Sequence, residues 1–214
     1  MATRKAALLL HGHGRSGLSM GLMAARLQAA GWETLAPSYG FRRSLPAILD
    51  VLKGPVTAFA ARHDRLDIVT HSMGGLVARA LITAHRPANL GRVAMCAPPN
   101  RGSELADLLV GLNLADAILG PAHSHLVTRR TAENEALLGT VDYELGIIAG
   151  NRSLSPVPAP LLPPPHDGKV SVQATHLAGM ADHIVLPVPH SLMTAHPLTG
   201  AQVLHFLAEG RFRR

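Results

Sequence analysis

The chain has 214 residues, 47% hydrophobic, 16% charged and 3% aromatic, which excludes a disordered, fibrous or disulfide-scaffold protein and suffices to bury a core without a metal or cross-link. Formal net charge is +6, yet the basic residues are scattered, as at Arg42-Arg43, Arg129-Arg130 and Arg211 to Arg214. Without a long Lys/Arg block or interleaved aromatics, this argues against nucleic-acid binding. Cys96 is the only cysteine, so no internal disulfide forms, and its apolar neighbours mark it as a core residue rather than a nucleophile.

Arg4 and Lys5 precede an apolar run over residues 6–10, which is too short for a signal peptide and leads into a Gly-rich turn. No later run is long enough to span a membrane. The expectation is a cytoplasmic chain without stable membrane insertion. Short apolar runs at 6–10, 34–36, 66–70, 93–97, 145–149 and 183–188 read as strands buried on both faces. Between them, helical patterns cover 16–30, ending at Gly31, and 45–62, kinked or split at Gly54-Pro55. Two more cover 73–85, ending before Pro87, and 192–208, bent or restarted at Pro197. Residues 102–140 form a mostly helical excursion between the fourth and fifth strands. The proline-rich segment 151–165 reads as an extended loop. This alternation predicts one α/β domain over 1–214, with a mostly parallel sheet covered by helices.

Chemistry concentrates where the third strand ends, in Leu66-Asp67-Ile68-Val69-Thr70-His71-Ser72-Met73-Gly74-Gly75. An apolar strand runs into a serine, small residues follow, and a helix begins. A serine in so sharp a turn projects its hydroxyl from the sheet, and the new helix offers its first amides and positive dipole end to a reacting carbonyl. The segment resembles the nucleophile elbow of α/β-hydrolases, in particular small bacterial lipases and esterases, with Thr70 in place of the first glycine of Gly-x-Ser-x-Gly. A second resemblance follows the first strand. Leu10-His11-Gly12-His13-Gly14 is placed like the His-Gly oxyanion loop of these enzymes, and Ala97-Pro98-Pro99-Asn100-Arg101-Gly102-Ser103 also looks like lipase sequence.

The resemblance implies a minimal α/β-hydrolase fold of about six strands, with a small helical excursion instead of a full cap. It implies Ser72 as nucleophile and the main-chain N–H groups of His13 and Met73 as oxyanion donors, with His11 bracing the loop. Its chain order, nucleophile then acid then histidine, points to Asp167 in His166-Asp167-Gly168-Lys169-Val170 and to His190 after the last strand. Asp182 and His183 open that strand at the wrong end, and His196 is a weaker rival to His190. The implied activity is cleavage of carboxylic esters, on a small-molecule or lipid substrate, through an acyl-enzyme that needs no cofactor and no metal. Thioester cleavage or acyl transfer on the same triad, and a non-catalytic binding protein, remain open as alternatives. Oligomeric state, acyl-chain length and alcohol preference do not follow from the sequence.

Overall fold

The computed structural model describes residues 4–40, 42–154 and 161–214. Its strands are β1 (Lys5–Leu10), β2 (Trp32–Leu35), β3 (Arg65–His71), β4 (Leu90–Cys96), β5 (Leu145–Gly150) and β6 (Asp182–Leu186). They form one sheet in the order β2-β1-β3-β4-β5-β6, and every neighbouring pair is parallel. The chain leaves β1 toward the β2 edge, then crosses back to β3 on the other side. That reversal opens a crevice at the carboxyl ends of β1 and β3, the place where open α/β sheets bind ligands.

The helices are α1 (Gly21–Ala29), α2 (Leu45–Ala60), α3 (Gly74–His85), α4 (Glu104–Gly111), α5 (Ala115–Leu119), α6 (His123–Leu126), α7 (Ala132–Leu138), α8 (Val172–Thr175) and α9 (Pro197–Glu209). The period of two in each strand divides the core into two layers. Leu8, Leu10, Ile68 and Met95 pack under α2 and α3 with Ile48, Leu52, Leu76 and Ala80. Ala7, Leu9, Val69 and Ala94 face the other way, against Met23 and Leu27 of α1 and Val203 and Phe206 of α9. Each fully buried Leu or Phe contributes about 1.5–3 kcal/mol over exposure, so these layers fix the sheet and hence the loops at its rim. Gly146 is part of this fit: a Cβ there would sit 2.6 Å from the Phe206 ring.

Three helices differ from the sequence expectation. The first stretch is divided into a 3₁₀ turn over Gly17–Met20 and then α1, with Gly31 at φ +91° closing it as expected. α2 is not split at Gly54-Pro55 but continues through Pro55. Val51, Gly54 and Pro55 all lie on the exposed side, so the Val51 carbonyl that loses its amide donor faces water, while Ile48, Leu52, Val56 and Phe59 hold the helix on the core. α9 starts at Pro197 rather than 192, because a proline at a helix start gives up an amide that has no acceptor anyway. Of the proline-rich segment, 155–160 fall outside the described residues. Among the described residues no helix is long and apolar enough to cross a membrane.

Candidate active site

Ser72 sits between β3 and α3 with φ +54°, a left-handed conformation that a non-glycine residue adopts only where its surroundings enforce it. Here they do. The Ser72 N–H donates to the Cys96 carbonyl at 2.9 Å, and its own carbonyl accepts from Gly75 N–H at 2.9 Å. Gly74 is needed because a Cβ there would meet the Leu10 carbonyl at 2.3 Å; a Cβ on Gly75 would meet Pro98 at 2.8 Å and lie 3.5 Å from Thr70 Oγ1.

His190 follows β6 in a 3₁₀ turn, and its Nδ1–H donates to Asp167 Oδ2 at 2.7 Å. Both side chains are buried. The other carboxylate oxygen, Oδ1, accepts from the N–H groups of Lys169 at 3.0 Å and Val170 at 2.8 Å. The His190 N–H donates to the Asp167 carbonyl at 3.0 Å. The tautomer this bond selects carries its proton on Nδ1 and leaves the lone pair on Nε2. Gly150, at the end of β5, makes the arrangement possible: a Cβ there would lie 2.3 Å from the Val188 carbonyl and 2.8 Å from Asp167 Cβ.

The loop after β1 is held from behind. The His11 Nδ1–H donates to the Gly12 carbonyl at 2.9 Å, and Nε2 accepts from Tyr39 N–H at 3.2 Å. The Tyr39 hydroxyl donates to the His11 carbonyl at 2.6 Å, and the rings stack at 3.9 Å. Burial lowers the His11 pKa, which suits a ring that donates from one nitrogen and accepts at the other. His11 thus braces the loop. On its open side, His13 Nε2–H donates to the Leu119 carbonyl of α5 at 3.0 Å.

Ser72, Met73, His13 and His190 all line one cavity of about 360 Å³, together with Gly12, Arg15, Lys169 and an apolar wall from α4 to α6. Asp167 stands behind His190. The rival residues lie elsewhere. Asp182 holds Arg214 at 2.6 Å and the Phe212 N–H at 2.8 Å. His183 donates to the Thr175 hydroxyl at 2.9 Å and stacks on His176, with its pKa driven down to about 4 chiefly by burial. His196 caps α9, accepting from Leu198 N–H at 3.3 Å. Cys96 is buried in β4, and burial pushes its thiol up to about 12, as a core residue requires.

One functional neighbour escaped the sequence reading. His71, just before Ser72, is buried, and its Nε2–H donates to the His190 carbonyl at 3.1 Å, with ring centroids 4.8 Å apart. Burial, then the charge of His190, holds its pKa well below the usual histidine range. Its neutral ring holds the His190 backbone through that bond. The available signal was its place inside the elbow. Among the described residues, no three His, Cys, Asp or Glu side chains are grouped to hold a metal ion.

A family model described as a domain of unknown function (DUF7379) matches residues 33–140. No curated protein sequence matches the chain. Among solved structures, the mature form of Bacillus licheniformis lipase BlEst2 is similar with a TM-score of 0.79 at 16% identity, covering 98% of this chain and 93% of that one. Phospholipase PlaB from Legionella pneumophila gives 0.74 at 18% identity, over 98% of this chain and 60% of that one. A structure of the metagenome-derived lipolytic enzymes LipS and LipT gives 0.67 at 18% identity, covering 98% and 95%. The family model and the shared architecture together make the chain a member of the DUF7379 family with the α/β-hydrolase fold.

Proposed function

We propose that the protein is a serine hydrolase that cleaves carboxylic esters. The observation that carries this reading is Ser72, held at φ +54° at the mouth of β3, opening on the same cavity as a His190 already polarised by Asp167. Ser72 Oγ attacks the ester carbonyl while His190 Nε2 takes its proton, and Asp167 stabilises the imidazolium. The tetrahedral oxyanion is met by the N–H groups of His13 and Met73; the latter stands at the start of α3, where the first amides have no acceptor one turn back. His190 then protonates the departing alcohol. Water, losing a proton to the same Nε2, attacks the acyl-enzyme and releases the acid. The substrate is a small-molecule or lipid ester. That three structurally similar proteins are named for lipolytic activity supports the choice of ester over other acyl compounds.

The test is covalent labelling with a fluorophosphonate beside turnover of p-nitrophenyl butanoate and its thioester analogue. The reading expects label on the Ser72 peptide, none in Ser72→Ala, and faster ester than thioester turnover. A folded protein that neither labels nor hydrolyses overturns it.

A further inference from the structure

Resting on that reading, we propose that the alcohol half of the substrate carries an anionic group, a carboxylate or phosphate, held at the cavity mouth by Arg15 and Lys169. The cavity wall is chemically divided. Leu105, Ala106, Leu109, Ile118, Leu119 and Leu126 form an apolar side, whereas Arg15 and Lys169 bring a guanidinium and an ammonium group, and among the described residues no Asp or Glu lines it. Both cations are exposed. Seven other arginines, Arg4, Arg62, Arg65, Arg86, Arg92, Arg130 and Arg214, each reach a carboxylate, while Arg26 and Arg79 end on main-chain carbonyls. Among the described residues Arg15 and Lys169 have no such partner. Two like charges left without a counter-ion beside one cavity create a standing attraction for an anion.

The placement also selects a half of the ester. Lys169 is two residues beyond Asp167, and its N–H is tied to the Asp167 carboxylate at 3.0 Å, so it rides on the loop that orients His190. His190 delivers its proton to the departing alcohol, which puts Lys169 on the alcohol side. Arg15 closes the loop carrying His13, its N–H donating to the Gly12 carbonyl at 3.3 Å. Both charges are felt inside the site, where they add to the lowering of the His71 pKa. The acyl chain is left the apolar wall from α4 to α6.

The experiment compares four butanoyl esters: of glycolate, of glycerol phosphate, of ethanol and of choline. The expected kcat/KM for the two anionic esters exceeds that of ethyl butanoate by about tenfold at low salt and approaches it near 1 M salt, with the choline ester below both. The better anionic ester tells carboxylate from phosphate. In Arg15→Gln/Lys169→Gln the anionic-to-neutral ratio falls to about one, while Lys53→Gln, on the exposed side of α2, keeps it. A ratio near one in the unmodified protein, a ratio that survives the double substitution, or a stronger preference for an anion on the acyl half, as in ethyl hydrogen succinate, overturns the proposal. Calorimetric titration with butoxyacetate, a non-hydrolysable analogue, separates the two readings. Binding lost in the double variant upholds the anion site even if all four esters resist cleavage and Ser72 takes no fluorophosphonate, which would sink the hydrolase reading alone. Cleavage of all four esters at one rate sinks the anion site alone.

Discussion

The bond between His190 Nδ1 and Asp167 Oδ2, at 2.7 Å, makes Asp167 and Asp182 distinguishable in solution. Asp167→Asn presents an amide where the ring needs an acceptor, favouring the wrong tautomer and weakening the imidazolium, so turnover at neutral pH should fall by about 10³–10⁴. Asp182→Asn weakens the grip on Arg214, on the Phe212 N–H and on the His183 N–H, and its turnover should stay within about twofold of the unmodified protein's, a bound that rests on its place outside the cavity lining. Steady-state kinetics on an activated ester checks both, and the reverse ranking would remove Asp167 from the site. That Asp167 rather than Asp182 pairs with His190 was legible in the sequence, because a carboxylate after a strand and one before it lie at opposite ends of a parallel sheet. His71 and Gly150 were not legible in that way. Their roles depend on contacts between loops far apart in sequence: His71 Nε2–H donating to the His190 carbonyl at 3.1 Å, and Gly150 yielding the space that the Asp167 side chain takes.

At the scale of elements, one buried carboxylate ties four of them together. Asp67 in β3 is fully buried and accepts from Trp32 Nε1 in β2 at 2.8 Å, from Arg65 at 2.7 Å, and from the Arg92 N–H in β4 at 2.7 Å. Arg65 Nη2 in turn donates to the Leu207 carbonyl of α9 at 2.8 Å. Asp67→Ala strands these donors in the interior, and breaking a buried pair from one side typically costs about 3–5 kcal/mol. Equilibrium urea unfolding should show that loss, and a change below about 1 kcal/mol would contradict the account. Sequence pattern located β3 but read it as wholly apolar around this aspartate, because periodicity reports burial and not partners. It likewise placed the excursion but not its form: α5 and α6, of five and four residues, are too short to be stable alone and take their order from packing.

For the whole molecule, the consequence of so many sequestered imidazoles is a pH-dependent stability. His11, His13, His71, His125 and His183 all have pKa values below 6.5, burial being the largest cause in each. The unfolded chain therefore binds more protons than the folded one once pH drops below about 6.5, and stability falls as pH falls. The decline spans 6.5 down to about 4, the value for His183. Differential scanning calorimetry at pH 7.5 and pH 5 should show a Tm lower by on the order of 10 °C at pH 5; equal midpoints would refute it. The layered α/β architecture was the most legible feature of all, since six short apolar runs separated by helices leave few parallel topologies, although β2 and β6, at the sheet edges, are only partly buried and not covered on both faces as read. The count of histidines was visible too, but their exclusion from water depends on tertiary packing.

The hydrogen bond from His13 to the Leu119 carbonyl gives the site a mechanical linkage. α5 forms part of the wall against which an acyl chain would lie, and the residue it tethers is the one whose amide would meet the oxyanion. On the proposed reading, an acyl group bulky enough to displace α5 would pull that donor off its target, and size discrimination would act on the chemical step and not on capture alone. Lengthening the acyl chain past the fit should then lower kcat more than it raises KM, and His13→Ala, with the tether cut, should flatten that dependence. A chain-length series in which KM alone changes would show the two parts to be mechanically independent.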